Sequence, residues 1–208
     1  NNGAAYATST AVTATIGLTD SVTTGYQMKI WGVAGAATEA EAAWATFVKS
    51  KAITLTTGDG QKTVSIKVRD DVGNETATVT AKITLDTAVP VVTITGPDKS
   101  KISKVATFNV SAFSFSANAD FEEYKIKVVP SESSLENAGT QIPVTSGSTN
   151  TSGTEGGYKA DTAINVTING ADLEAASSGD GVKIIKVFVK NAAGTWSVAC
   201  RSLHGSVD

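Results

Sequence analysis

One segment of the chain occurs twice. Residues 58–70 and 179–191 share the same order of glycine, aspartate, lysine and alternating aliphatic residues, 121 positions apart, and they align without a gap as far as Gly73 and Gly194. Repetition over a fixed period constrains architecture more than any other sequence feature, because each copy has to be one structural unit. The chain is therefore predicted to contain two copies of one module.

Each copy shows the alternation of apolar and polar residues that is typical of half-buried β-strands. The composition leans towards Thr, Ala, Val, Ser and Gly, and β-branched and small residues favour strands and turns. The apolar positions include Val12, Ala14, Ile16, Leu18, Met28, Ile30, Val64, Ile66 and Val68 in the first copy, and Tyr124, Ile126, Val128, Val187 and Val189 in the second. We expect both sets to be buried between layers of antiparallel strands, so that the chain is all-β.

One segment of the first copy departs from the two-residue period. Thr38 and Glu41 stand at the spacing of a helix capping box, and the apolar residues that follow, including Trp44 and Phe47, recur at helical intervals. This pattern predicts a short helix over residues 38–49, packed on the strands through the two aromatic rings.

A proline-containing joint separates the two copies. Residues 86–90 read Asp-Thr-Ala-Val-Pro, and proline suits a boundary because it fixes φ and cannot donate a hydrogen bond to a strand ladder. We expect a first domain over residues 1–87 and a second over 88–208.

The second copy is longer than the first. Tyr26 and Tyr124 match at an offset of 98, whereas the later hairpins match at 121, so the second copy carries 23 extra residues. They fall mostly in residues 131–161, which are rich in Ser, Thr, Gly and Asn. Such polar tracts are typical of surface loops, and some of them bind ligands.

The first copy lacks a counterpart for one strand of the second. Residues 91–95 correspond to positions before residue 1. Either residues 4–8 supply this strand, or it comes from an upstream segment or from a neighbouring chain. An unpaired strand edge exposes backbone N–H and C=O groups, so we expect self-association through an open N-terminal sheet edge.

Bulk properties exclude several functional classes. A net charge of −3 and a pI near 5.2 provide no basic surface of the kind that binds nucleic acid. No segment has the roughly 20 apolar residues of a membrane-spanning helix, so we expect no membrane insertion. Residues 1–6 predict no signal peptide, and the single cysteine predicts no internal disulfide.

Few residues in the chain suit catalysis. The only cysteine and the only histidine, Cys200 and His204, are four positions apart, and a Cys–His pair is one arrangement that activates a nucleophile. The repeat aligns them with Val79 and Ile83, two core-facing strand positions, so both are interpreted as buried. We predict a non-enzymatic chain with no catalytic residues and no cofactor.

Four aspartates are the candidates for a metal site. Asp59, Asp70, Asp71 and Asp86 lie in or beside turns, and Ca²⁺ prefers several carboxylate and carbonyl oxygens in one place. The competing interpretation is that these side chains cap turns through Asx hydrogen bonds, as their spacing from glycine indicates. We expect no metal, with calcium at these aspartates as the alternative.

Two aromatic residues are the candidates for partner binding. Trp31 falls on the polar face of its strand, and Phe188 breaks the alternation of its own strand. Each is expected to face away from the core, where it packs under a loop or contacts a partner. Trp31, Trp44 and Trp196 are also candidates for a carbohydrate platform.

The repeated segment and its flanks resemble a known family. Residues 58–74, followed by Leu-Asp-Thr-Ala-Val-Pro at 85–90, are similar to tandem bacterial-type immunoglobulin-like (Ig-like) repeats, which occur in bacterial surface proteins and in virion proteins of tailed phages. The segment from Met28 to Trp44 is similar to the phage-borne versions in particular. The second copy departs from the motif after Asn191, where the acidic pair of the first copy is not repeated.

The resemblance implies a fold and a function. The implied fold is two tandem Ig-like antiparallel β-sandwiches. The implied function is a non-enzymatic structural module, first of all an accessory (decoration or fibre) protein of a tailed-phage virion, with other virion proteins as partners. The alternative is a fragment of a bacterial cell-surface adhesin that binds glycan or a host protein.

Overall fold

The chain divides between Ala88 and Val89 into two units, Asn1–Ala88 and Val89–Asp208. Each unit has its own hydrophobic core. The structure is a computed structural model that describes residues 3–99, 101–103, 110–198 and 203–207.

The first unit consists of two layers of strands. Its strands are β1 (Tyr6–Ala7), β2 (Ala11–Thr15), β3 (Gln27–Trp31), β4 (Ala45–Thr46), β5 (Ser50–Thr54), β6 (Gly60–Arg69) and β7 (Val79–Leu85). One layer is a five-stranded sheet in the order β1-β7-β6-β3-β4, and the other is the antiparallel pair β2-β5. The five-stranded sheet is antiparallel except that β1 runs parallel to β7.

The second unit repeats this plan with more strands. They are β8 (Val92–Thr95), β9 (Lys101–Ile102), β10 (Val110–Ala117), β11 (Glu123–Val129), β12 (Thr140–Gln141), β13 (Ser152–Gly153), β14 (Ile164–Asn169), β15 (Gly181–Lys190) and β16 (Leu203–Val207), together with the helix α1 (Gly170–Ala176). One sheet has the order β14-β10-β8, and the other has the order β12-β11-β15-β16-β9 with β13 also paired to β11. The predicted class of tandem Ig-like β-sandwiches is confirmed.

The two cores differ in continuity. The second unit has one core in which an aromatic group packs at the centre, and Phe121 stacks on Tyr158 with ring centroids 4.9 Å apart. The first unit has two smaller clusters, which consist of Ala7, Val12, Leu55 and Leu85, and of Met28, Phe47 and Val68. The alternating apolar faces therefore meet in both units, but they are covered more completely in the second.

The predicted helix over 38–49 is wrong. Glu41 does make the capping contact, since its Oε2 accepts hydrogen bonds from the backbone N–H groups of Ala37 at 2.7 Å and Thr38 at 3.1 Å. The contact closes only a short turn. The chain then enters β4, which pairs with β3, and Phe47 is buried in the core. Strand pairing and burial of Phe47 outweigh the local helical pattern, because propensity is a weak prior against tertiary context.

The helix that does form, α1, was not predicted. Its N-cap is Asn169, whose side chain accepts a hydrogen bond from the N–H of Ala171 at 2.9 Å. The segment Asn-Gly-Ala-Asp at 169–172 carries the cap signal, but the helix is shorter than a periodicity search resolves.

The insertion over 131–161 is only partly a surface loop. Its strands β12 and β13 pair with β11, and Ile142 is completely buried in the core. The insertion therefore extends one edge of the second unit's sheet.

A buried carboxylate ties the insertion to α1. Asp172 is completely buried, and its oxygens accept hydrogen bonds from Thr145 Oγ1 at 2.5 Å and from the backbone N–H groups of Ser146 and Ser148 at 3.0 and 3.2 Å. Burial acts to raise the pKa of Asp172, but these hydrogen bonds outweigh it and hold the pKa below its ordinary value.

We expect Asp172→Asn to lower the free energy of unfolding of the second unit by about 1–3 kcal/mol at neutral pH, because an amide cannot accept from all three donors. The folded-state pKa is depressed, so the stabilisation is present above the unfolded-state pKa of about 3.9 and is lost as the pH falls through the folded-state value. Urea unfolding at pH 7 and at pH 3 measures both effects. The exposed Asp161→Asn is the control, and equal stabilities of Asp172→Asn and wild type at pH 7 would contradict the assignment.

Candidate functional site

An open apolar groove runs between the two layers of the first unit. It encloses about 430 Å³. Its apolar lining comes from β2, β5, β6 and β7 and includes Val12, Ala14, Ile53, Val64, Ile66, Val79, Ala81 and Ile83, with Ile16 and Leu18 from the segment after β2. Most of them belong to the alternating positions that predicted a core face, so the groove is a part of the core that lacks a cover among the described residues.

The strands on both sides of the groove have open edges. β2 pairs with β5 along one edge, and no strand in the described part of the chain pairs with its other edge. β7 pairs with β6 along its whole length, but β1 contacts only Thr84 and Leu85 on the opposite side. Thr13 of β2 nonetheless has a contact partner, so this edge is open only in the sense that no described strand pairs with it.

The second unit has a strand at the equivalent place. There β8 pairs antiparallel with β10, and Val92 and Ile94 from β8 are buried in the core. One alternative was that residues 4–8 supply the counterpart of this strand. They do form a paired strand, β1, but β1 runs parallel to the last strand of its unit, as β9 does in the second. β1 therefore corresponds to β9, and the counterpart of β8 is what the described part of the first unit lacks.

The side chains that face the groove are more exposed than their repeat equivalents in the second unit. Ile185 and Val187 of the second unit are 5% and 0% exposed, whereas their repeat equivalents Val64 and Ile66 are only partly buried. Val79, which faces the groove from β7, is 61% exposed. The expectation that Val64 and Ile66 are buried like Val187 is therefore met only in part.

A second surface lies on the outer face of the first unit's sheet, around Trp44. The Nζ of Lys29 and the Cζ of Arg69 lie 5.0 and 4.4 Å from the centre of the Trp44 ring. Glu39 accepts a hydrogen bond from Lys67 at 2.8 Å and lies 3.4 Å from Lys29. The hydrogen bond from Lys67 lowers the pKa of Glu39, so the carboxylate stays ionised among the cations.

The second unit carries the same combination around Trp196. The Nζ atoms of Lys125 and Lys190 lie 4.6 and 5.2 Å from the centre of the Trp196 ring. Glu123 forms an ion pair with Lys190 and lies 3.4 Å from Lys125, and the hydrogen bond from Lys190 lowers the pKa of Glu123. We call these two surfaces, around Trp44 and around Trp196, the tryptophan–cation surfaces.

The sequence pointed to Trp44 and Trp196 as candidates for a carbohydrate platform, but the cations and carboxylates beside them were not predicted. Trp44 and Trp196 do not align in the repeat, because each follows a different turn. One sequence signal pointed to these surfaces. Both copies have a cationic residue at the same position of the repeated segment, Arg69 in the first copy and Lys190 in the second.

The two residues predicted to bind partners have different positions. Trp31 is partly buried and pairs with Ser65 in the adjacent strand. Phe188 is completely buried, with the Nζ of Lys186 5.4 Å from its ring centre. Lys186 donates in turn to the carbonyl oxygens of Glu132 and Ser134, both at 2.8 Å. The insertion therefore covers this face of the sheet, so of the two alternatives for Phe188 the structure has the one in which the ring packs under a loop, and the ring is not open to a partner.

Three of the four aspartates named as calcium candidates accept hydrogen bonds from backbone N–H groups. Asp70 accepts hydrogen bonds from the N–H groups of Val72 and Asn74, at 3.1 and 2.7 Å, which is the Asx arrangement. Asp59 accepts from Thr87 and Asp86 accepts from Ala88, and Asp71 is exposed. Within the described ranges, no three acidic, histidine or cysteine side chains come together.

The pairing of β16 revises the repeat alignment near the C-terminus. His204 pairs with Ile184, while Leu203 pairs with Ile185. In the first unit Ala81 pairs with Val64, the equivalent of Ile185. His204 therefore corresponds to Lys82 and not to Ile83, a shift of one residue. Cys200 lies outside the described residues.

No protein-family model and no curated protein sequence matches the chain. Among solved structures, the fibronectin(III)-like modules of Clostridium thermocellum CbhA align with 95% of this chain and 83% of their own, at 11% identity and a TM-score of 0.49. A 1.5-MDa bacterial ice-binding adhesin aligns over 95% of this chain and 57% of its own, at 18% identity and a TM-score of 0.35. The D00-D0 domain of intimin aligns over 95% and 81%, at 16% identity and a TM-score of 0.25.

All three TM-scores are below 0.5, so the fold is assigned from the strand pairing and not from these similarities. In the part of the chain that the structure describes, no helix has the length and apolar character to cross a membrane.

We expect the groove to bind an uncharged apolar dye. Nile red fluorescence should rise on addition of the chain, and Ala81→Arg should reduce that rise by at least half, because the long cationic side chain would occupy the groove. Val72→Arg, at a hairpin residue that is 78% exposed and outside the groove, is the matched control. A dye response that is the same for all three proteins would show that the groove is closed in solution.

Proposed function

We propose that the chain is a non-enzymatic adhesin-type module, in which successive Ig-like units present equivalent surfaces outside a bacterial cell. The observation that carries the proposal is the recurrence of the tryptophan–cation surface in both units. The residues that form it are not required by the cores, since they lie on the outer face of each sheet.

The chemistry of the surface indicates the kind of partner. An aromatic ring beside ammonium or guanidinium donors and carboxylate acceptors offers an apolar area next to polar groups that can fix orientation. A glycan or a polar protein surface combines the same features. Two weak sites on one chain bind a multivalent target more tightly than either site alone, provided that both can engage it.

The non-enzymatic assignment is supported by the residue inventory. The chain contains one histidine and one cysteine, and the described carboxylates on the two surfaces are paired with lysines. Such a paired carboxylate, with a lowered pKa, is a poor general base.

A virion accessory protein is the second candidate. It is favoured by the resemblance of the segment from Met28 to Trp44 to phage-borne Ig-like repeats. That segment forms β3 and the turn leading into β4 in the structure, so the resembling residues form one continuous piece of the fold.

Immunogold labelling separates the two candidates. Antibodies against the 208-residue chain should label the surface of intact cells of the producing bacterium. Label confined to purified phage particles would favour the virion accessory protein instead, and label found only inside lysed cells would contradict both. The flanking gene sequence offers an independent check, because an adhesin should carry a secretion signal and a wall anchor.

We expect Trp44→Ala and Trp196→Ala each to weaken binding to immobilised glycans or host cells, and the double variant to lose at least about tenfold in apparent affinity, because avidity requires both sites. Tyr6→Ala, at an aromatic residue that is 40% exposed on β1, is the control. Glycan arrays and cell-binding assays measure the effect. Unchanged binding by a folded double variant would exclude the tryptophan–cation surfaces as the binding site.

A further inference from the structure

We infer that the tryptophan–cation surface of the first unit selects a carboxylate-bearing sugar, a uronic acid or sialic acid residue of a glycan, and that Gln27 sets this selectivity. The sugar carboxylate pairs with the guanidinium of Arg69, and the sugar ring contacts Trp44. This inference rests on the proposed function, because it names the class of glycan that one of the two surfaces binds.

Strand pairing places the two surfaces at equivalent points of the two sheets. Arg69 and Lys190 occupy the same position of the repeat. Gln27 lies opposite Arg69 in the first unit, and in the second unit the residue opposite the lysine is Glu123. Gln27 and Glu123 are therefore counterparts, 96 positions apart (123 − 27), two fewer than the offset between the matching tyrosines. The side chain that faces the repeated cation is thus a neutral amide in the first unit and a carboxylate in the second.

This one difference decides whether the repeated cation is neutralised. In the second unit, Glu123 forms ion pairs with both lysines that lie over the tryptophan ring. In the first unit, Arg69 donates from Nε at 2.7 Å, and also from Nη2, to the side-chain oxygen of Gln27. It forms no ion pair within the described part of the chain. The positive charge of the guanidinium is therefore left for a ligand to neutralise.

The guanidinium of Arg69 also keeps hydrogen-bond donors for a ligand. Its Nη1 atom donates to no described group, and the protein does not enclose that atom. Two carboxylates of this surface, Glu39 and Glu75, lie 2.8 and 3.7 Å from the Nζ of Lys67, so they leave the guanidinium available. Because the guanidinium carbon lies 4.4 Å from the centre of the Trp44 ring, these donors stand beside an aromatic surface.

A carboxylate attached to a sugar ring matches this arrangement. A guanidinium binds a carboxylate through two parallel hydrogen bonds, a geometry that an ammonium does not offer. The C–H groups of a sugar ring form an apolar face that packs against an aromatic side chain. The chain as a whole carries a net charge of −3, so general electrostatic attraction does not favour an acidic glycan. The selectivity has to come from the site itself.

Matched acidic and neutral probes test the inference on each surface separately. Trigalacturonate and its methyl ester differ only in the charge of their carboxyl groups, and sialyllactose differs from lactose by one sialic acid residue. Isothermal titration calorimetry measures each probe with the full chain. The Trp196→Ala background leaves the first surface intact, and the Trp44→Ala background leaves the second. Melting temperatures show that each variant is folded.

On the first surface, at least one acidic probe should bind about tenfold or more tightly than its neutral partner, because charge-assisted hydrogen bonds are lost with the charge. Gln27→Glu should remove this preference, since the new carboxylate would pair with Arg69. Glu123→Gln should raise the affinity of the second surface for the acidic probes, because Lys190 loses its ion-pair partner. Lys51→Ala, at an exposed lysine of β5, is the charge control and should change neither result.

Equal affinity of the first surface for acidic and neutral probes would overturn the inference and leave the proposed glycan binding intact. A preference for acidic probes that Gln27→Glu does not change would also overturn it, because the charge would then be recognised elsewhere. Binding of a poly-glutamate peptide but of no acidic glycan would replace the sugar by an acidic protein segment. If no probe binds, the inference is wrong, and the cell-binding assay of Trp44→Ala decides the proposed function independently.

Discussion

The structure depends on one constraint: a sheet whose residues alternate between apolar and polar has to bury its apolar face against a second layer. Among the described residues, the layer that covers the main sheet has three strands in the second unit and two in the first. Where the third strand is present, the repeat residue Val187 is completely buried, and where it is lacking, the equivalent Ile66 is only partly covered. The groove is the direct consequence of that difference.

The rest of each unit is arranged around these layers. In the second unit the insertion adds strands to β11 and is held by the buried carboxylate of Asp172, whose donors all come from the insertion. The two tryptophan–cation surfaces lie on the faces of the main sheets that point away from the cores, so a tryptophan between cations can be carried there without weakening the sandwich. The residues that determine the fold are thus different from those that form the outer surfaces. One module can therefore be repeated while its ends and insertions vary.

Sequence patterns predicted the elements that depend on two-residue periodicity and missed those set by tertiary context. The repeat identified both units, and the offset between its parts identified the insertion and the missing strand. The segment over 38–49 was misassigned because its capping signal is real but local, while the burial of Phe47 and the pairing of Ala45–Thr46 depend on β3. Phe188 is apolar on the outer face of β15 because the insertion covers that face. The insertion is distant in the sequence, so the pattern of β15 alone does not show this contact.

Hydrogen exchange of the free chain tests the central claim most directly, because it compares two equivalent strands in one molecule. Ile185 and Val187 of β15 lie in the fully covered core of the second unit, so the amides of residues 185–189 should exchange slowly. Their repeat equivalents in β6, residues 64–68, include the partly buried Val64 and Ile66, so their amides should exchange faster. Equal exchange rates in the two segments would contradict the account of a less completely covered first unit.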